Sequence, residues 1–214
     1  MYLKEIWRYP VKSMAGERIE QSEVGPLGIA GDRQILVLGS NGRVLTARTY
    51  PKLLGLKGSL NGEGMALVSG HHWDSKEANS LVEETLGQKV KLIRHEGPER
   101  FDVLPLLVAT DGAIAYMGFD GRRLRPNFVI GGVEGLEERK WAGRQLEVGV
   151  ALIEPVQLRG RCVMTTFDPD TLKQDLNVLK NIVQKLDGVM ALDTTVVHGG
   201  LVREGDAVRL VEVA

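Results

Sequence analysis

The chain carries one thiol, Cys162, within the run Leu158-Arg159-Gly160-Arg161-Cys162-Val163-Met164-Thr165-Thr166-Phe167-Asp168-Pro169-Asp170. The thiolate, not the thiol, is the nucleophile and soft-metal ligand, and the nearby Arg159 and Arg161 favour that charged form. Gly160 leaves room for a ligand to approach the backbone closely. A lone cysteine is also commonly a small buried hydrophobe, and the local sequence by itself favours that reading. A single cysteine excludes an internal disulfide, a four-cysteine zinc site and an iron–sulfur cluster. His71 and His72 have no partner at metal-ligand spacing, and His95 and His198 are isolated, so zinc has little support.

Three other groups could meet an anion or a polar ring. Leu124-Arg125-Pro126-Asn127-Phe128-Val129-Ile130 places a guanidinium and an amide just ahead of an apolar run. Arginine grips phosphate or a planar heterocycle bidentately, and asparagine reads a donor and an acceptor together. Taken alone, Asn127 capping its own turn is the better reading of this segment. Tyr9-Pro10-Val11-Lys12-Ser13 puts a lysine and a hydroxyl after a proline-stiffened turn, and Asp32-Arg33 is either a structural ion pair or part of a site. Gly25-Pro26-Leu27-Gly28 lacks the lysine and following helix of a phosphate-cradling loop, and no Gly-x-Ser-x-Gly elbow occurs.

These groups need a scaffold, and composition bounds it. With 214 residues, 43% hydrophobic and 26% charged, the chain is globular, with enough length for one large or two small domains. A net charge of −1 gives no overall field for nucleic acid or an anionic membrane. No apolar run approaches the roughly 20 residues of a membrane span, and Met1–Arg8 lacks a signal pattern, so a soluble, cytoplasmic protein is expected.

The 26 glycines recur between short apolar runs, which predicts many short strands joined by tight turns. Residues 36–45 read as a hairpin about Asn41-Gly42. Residues 89–94, 144–153, 194–197 and 207–213 read as further strands, with Glu204-Gly205-Asp206 as the turn before the last. Asp74 and Glu77 suggest a capping box for one helix, and Thr171 and Gln174 for a second. The second would carry the stripe Leu172, Leu176, Leu179, Val183 and Leu186. The expected architecture is mainly β, one small barrel followed by another, with about two helices and a boundary near His95–Arg100 that gives domains 1–95 and 96–214.

In order along the chain stand Tyr9-Pro-Val-Lys-Ser13, Gly28-x-x-x-Asp32-Arg33, Thr46-Ala47-Arg48 with Pro51, Arg125-Pro126-Asn127, Trp141, Arg161-Cys162 with Thr165-Thr166-x-Asp168-Pro169-Asp170-Thr171, and Gly205-Asp206-x-Val208. This series resembles the MOSC domain family, named after the C-terminal part of molybdenum cofactor sulfurase, preceded by its N-terminal β-barrel domain. Within the family it is similar to the amidoxime-reducing branch and to bacterial proteins that detoxify N-hydroxylated bases. The resemblance implies a platform for the molybdenum–pterin cofactor (molybdopterin), with Cys162 as the catalytic residue and metal ligand. It also implies that Lys12, Ser13, Arg33, Arg125 and Asn127 hold the pterin and its phosphate, and that Asp111 lies beside the pterin. Departures from the pattern are the short spacing from Asp111 to Arg125, Gly112 and Ala113 in place of hydroxyl-bearing residues, Leu172 in place of glycine, and Met14.

The resemblance implies an oxidoreductase that reduces small N-hydroxylated substrates, with electrons from a separate ferredoxin-like or flavin reductase. A sulfur or cofactor carrier without turnover is the alternative.

Overall fold

The structure is a computed structural model and describes residues 1–211. An eight-stranded sheet organises it, in the order Val208–Val211, Gln145–Val148, Ala151–Gly160, Val189–His198, Leu106–Thr110, Phe128–Gly131, Tyr2–Arg8, Glu17–Ile19. The two outer strands do not pair with each other, so the sheet is open rather than a closed barrel. The central strand Leu106–Thr110 is buried throughout, because successive side chains enter different cores. Leu106 and Val108 join Leu3, Ile6, Phe128 and Ile153 on one face. Leu107 and Ala109 meet Ala113, Leu124, Val178 and Ile182 on the other.

Three α-helices form among the described residues, one more than the sequence suggested. Helix α1 (Lys76–Leu86) is capped by Ser75, whose Oγ accepts from the Ala78 N–H, and it ends at Gly87 in the left-handed region. The cap is thus one residue later than Asp74, which instead pairs with His72. Helix α2 (Asp111–Met117) crosses between the parallel strands Leu106–Thr110 and Phe128–Gly131, with Thr110 as its cap. Helix α3 (Leu176–Leu186) is capped by Asp175, not Thr171. It buries Val178, Ile182 and Leu186, while Leu176 and Val183 are exposed, so the expected stripe shares only Leu186 with the buried one.

A second core gathers Val11, Met14, Ile35, Val37, Leu53, Val68 and Val82. Around it lie a two-stranded sheet of Ile35–Gly39 with Val90–Arg94 and a three-stranded sheet of Gly58–Leu60, Ala66–Val68 and His71–His72. The chain therefore enters the large sheet at Tyr2–Arg8, dips into the second core at Val11–Met14, and returns at Glu17–Ile19 before completing that core. A remaining small sheet joins Gly200–Arg203 to Gln21–Gly25 and Gly28–Ile29.

Asn41-Gly42 does make a turn, with Gly42 at φ 73°. Its second arm meets the first only through a Leu38–Val44 bridge, and the main partner of Ile35–Gly39 is Val90–Arg94. Residues 144–153 form two strands, not one, folded about Gly149 at φ 56°. The expected strand 207–213 is seen as Val208–Val211; positions 212 and 213 lie outside the described residues. No helix among the described residues is long and apolar enough to cross a membrane.

Candidate functional site

Cys162 follows the long strand Ala151–Gly160 and begins a 3-10 turn, Val163–Thr166. The Thr165 N–H and hydroxyl both donate to its carbonyl, at 3.1 and 2.9 Å, fixing the turn. This turn also packs against α3. The thiol is half-buried in the wall of a chamber of about 180 Å³ between the second core and the large sheet. Lys12, Ser13, Arg33, Arg125 and Asn127 line the same chamber, so six of the seven residues singled out from the sequence converge there.

Seven cationic side chains line this chamber, against one carboxylate, Asp102. Four of them have ion-pair partners: Lys12 with Asp102 (2.7 Å), Arg33 with Asp32, Arg123 with Asp168 (2.9 Å) and Arg159 with Asp193 (2.6 Å). Arg48, Arg125 and Arg161 have no carboxylate partner among the described residues. Arg161 donates from Nη2 to the Leu124 carbonyl (2.8 Å), while its buried Nε has no partner. An orphaned buried guanidinium N–H costs stability unless a ligand completes it.

The charge balance appears in the titration of these groups. Burial lowers Arg125 to about 10, and Arg33 pushes the same way. Burial and then Arg159 lower Arg161 to about 10. Both are cationic at neutral pH but held in surroundings that disfavour the charge, a situation that a bound anion relieves. Burial would raise Asp102, yet the hydrogen bond and charge of Lys12, with Arg33 and Arg159, hold it below the usual carboxylate range.

The backbone is arranged around the same wall. Ser13, Arg33 and Arg125 have φ of 71°, 53° and 57°, three of seven non-glycine residues in the left-handed region among the described residues. Such conformations are costly and cluster where structure serves a ligand. A buried network supports them. Asp32, fully buried, accepts from the Tyr9 N–H (2.7 Å), Arg33 and Asn127 Nδ2 (3.1 Å). Tyr9 lies beneath two guanidinium groups, with Arg125 at 4.3 Å and Arg33 at 5.0 Å from its ring centre.

Asn127 behaves differently from a ligand-reading amide. Its Oδ1 accepts from the Leu107 N–H (3.1 Å) and Arg33 (3.3 Å), and its Nδ2 donates to Asp32 and the Trp7 carbonyl (3.3 Å). All its hydrogen-bonding capacity is engaged within the protein, so it orients Arg33 rather than a guest. Asp32-Arg33 is likewise both an ion pair and part of the wall.

Asp111 stands apart. Its carboxylate accepts from the Gly132 and Val133 N–H groups at 2.9 and 3.1 Å, and it lines a separate cavity with Lys4, Glu5 and Arg18. Sequence reasoning did not single out Asp102 or Arg123, whose partners lie far along the chain.

No group of three or more His, Cys, Asp or Glu side chains among the described residues could hold a metal ion. The chamber offers one thiol, and the weaker thioether of Met164, in a cation-rich wall, which suits a metal that arrives with its other ligands on an anionic organic group. Residues 1–104 match the MOSC N-terminal beta barrel domain, and residues 108–209 match the MOSC domain. The chain belongs to the MOSC family. Human mitochondrial amidoxime reducing component 2 is 25% identical over 276 residues, covering 95% of this chain and 82% of the relative. Human mitochondrial amidoxime-reducing component 1 is 23% identical over 242 residues, covering 84% of this chain and 71% of the relative. The YUAD protein from Bacillus subtilis shares the fold, with a TM-score of 0.54 at 12% identity over 99% of this chain and 96% of that one. Family and relatives together support a molybdenum-cofactor-related function.

Proposed function

We propose that the chamber binds the molybdenum–pterin cofactor through its unpaired arginines, that Cys162 is the protein's ligand to molybdenum, and that the protein reduces N-hydroxylated compounds. The observation that carries this reading is the excess of uncompensated positive charge around the only thiol. Arg125, Arg161 and Arg48 would hold the phosphate and polar ring edges by charge-assisted hydrogen bonds. Lys12 and Ser13 would close the wall from the second core, and Arg33 would be held in place by Asp32 and Asn127. Asp111 has no part in the site on this reading, since both carboxylate oxygens already serve backbone N–H groups.

When bound, the cofactor supplies two-electron redox chemistry at molybdenum. In the net reaction an N–O bond breaks, two electrons and two protons are consumed, and the reduced nitrogen compound and water leave. The chain's own contribution is to hold the cofactor and to orient the substrate beside Cys162. With one cysteine there is no built-in cluster, so a ferredoxin-like or flavin-containing donor supplies the electrons.

The test is protein purified from a host that makes the cofactor, assayed for molybdenum and for benzamidoxime reduction with a chemical reductant. Molybdenum together with turnover supports the reading. Protein loaded with molybdenum yet inert toward benzamidoxime and hydroxylaminopurine would overturn the reductase, and transfer of intact cofactor to an acceptor would identify a carrier.

A further inference from the structure

Beside the arginine chamber lies a second cavity of about 80 Å³ with a different character. That volume is several times the roughly 10–15 Å³ needed by a single water, so a small ring or short branched chain fits. Trp7, Tyr9, Leu54, Met164, Phe167 and Pro169 form its apolar wall. The polar atoms of the two large aromatics are satisfied within the protein: Trp7 Nε1 donates to Glu5 (2.7 Å) and the Tyr9 hydroxyl to the Pro126 carbonyl (3.2 Å). The charges at the rim are mostly neutralised too. Arg122 is held by Asp120 (2.6 Å) and Asp170 (2.7 Å), and Arg123 by Asp168.

The two cavities share Arg123, Arg125 and Met164, and Met164 sits on the same 3-10 turn as Cys162. The apolar cavity thus borders the thiol-bearing chamber as an annex across these three side chains. Its walls come from segments far apart in the chain and are fastened together. Leu172, at φ 58° in a conformation rare for leucine, lies against Gly55, where a Cβ would stand 2.9 Å from its Cδ1. That contact joins the loop bearing Phe167 and Pro169 to the turn bearing Leu54.

We propose that this annex is the specificity subsite for the apolar, ring-bearing part of the substrate, with Leu54 setting its depth. The inference rests on the reductase reading for what is attached to that ring. The apolar part of the wall, with Arg122 and Arg123 paired, accepts a flat hydrocarbon ring, while the unpaired Arg125 lies at the side shared with the Cys162 chamber, where the polar N–OH group would point.

Benzamidoxime and acetamidoxime share the reacting group and differ in the ring, so their affinity ratio reads the annex. Binding is measured by calorimetry on cofactor-loaded protein without reductant. Leu54→Trp, which fills the cavity, should weaken benzamidoxime about tenfold or more and change acetamidoxime less than about twofold. Leu54→Ala, which guards against misfolding of the larger variant, should improve binding of a naphthyl amidoxime relative to benzamidoxime. An unchanged benzamidoxime-to-acetamidoxime ratio in folded Leu54→Trp, no gain for the naphthyl compound in Leu54→Ala, or no benzamidoxime binding at all would overturn the subsite. Binding with the expected ratios but no turnover on adding reductant would leave the subsite standing and remove the reductase. Turnover with unmoved ratios would do the reverse.

Discussion

The cavity beside Asp111 measures about 350 Å³, larger than the Cys162 chamber at about 180 Å³, yet its charges are balanced. Lys4, Arg18 and Arg122 face Glu5, Asp111 and Asp120. Arg18 is further paired with Glu204 at 2.8 Å, and Asp111 with two backbone N–H groups. In the chamber, by contrast, three arginines lack carboxylate partners and one buried N–H has no partner among the described residues. Size alone does not mark a binding site. What distinguishes the chamber is the buried charge of Arg125 and Arg161, held at a cost that a guest of opposite sign relieves.

Arg125→Ala should produce the largest change, because its guanidinium has no hydrogen-bond acceptor or carboxylate partner among the described residues to share with a ligand. A charge-assisted hydrogen bond is worth about 1.5–3 kcal/mol, so molybdenum retention should fall about tenfold or more while the fold survives. Unchanged molybdenum content would place the anion elsewhere. The same group predicts a pH dependence. Burial holds Arg125 at about 10, and the charged, anion-binding form exists below that value and is lost above it. Above about pH 8, where inorganic phosphate is already the dianion, its affinity for the cofactor-free protein should stay level to about pH 9 and weaken as Arg125, and with it Arg161, loses charge near 10. Bound phosphate itself favours the charged form, so the midpoint should move upward at saturation. Affinity that stays level beyond that range would rule out Arg125 as its holder.

The balanced cavity should respond in the opposite way. Asp111→Ala removes the acceptor for two backbone N–H groups and should cost about 1–3 kcal/mol of stability, read by denaturant unfolding. Molybdenum per folded chain should change less than about twofold; a collapse in loading without loss of stability would return Asp111 to the site. Lys12→Ala should have the smallest effect on loading, about threefold or less, because its charge already has Asp102 at 2.7 Å. A loss as large as that of Arg125→Ala would mean that Lys12 abandons Asp102 for the cofactor.

Local signals in the sequence served well where local physics decides. Gly87 and Gly205 end elements as their positive φ angles allow, and the strand at residues 90–94 differs by one residue from the expected span. They failed where two local solutions compete. In α3, Leu176 and Val183 form as good a stripe as Val178 and Ile182, and only packing against the large sheet selects the second. Thr171 and Gln174 were available as caps, but their side chains bond to Asp168 and Thr166 in the preceding loop, leaving Asp175 to start the helix. Helix α2 was hidden by its short length and by Gly112, which is present because a Cβ there would stand 2.3 Å from the Val133 carbonyl oxygen.

The site was more readable than the helices, since Arg125, Arg161 and Cys162 announce themselves by type and spacing. Its long-range pairings were not readable. Neither the joining of Lys12 to Asp102 nor the enclosure of Asn127 among Leu107, Trp7, Asp32 and Arg33 has a trace in local sequence.

The measurement that reaches furthest is X-ray absorption at the molybdenum edge, on wild type and Cys162→Ser purified from a cofactor-producing host. A hydroxyl nearly matches the thiol in size, so the chamber should persist and the arginines should keep some cofactor bound. If Cys162 is the metal's protein ligand, the variant's molybdenum should have one sulfur neighbour fewer than the wild type's. Wild-type protein without molybdenum, or an identical sulfur count in both proteins, would contradict it.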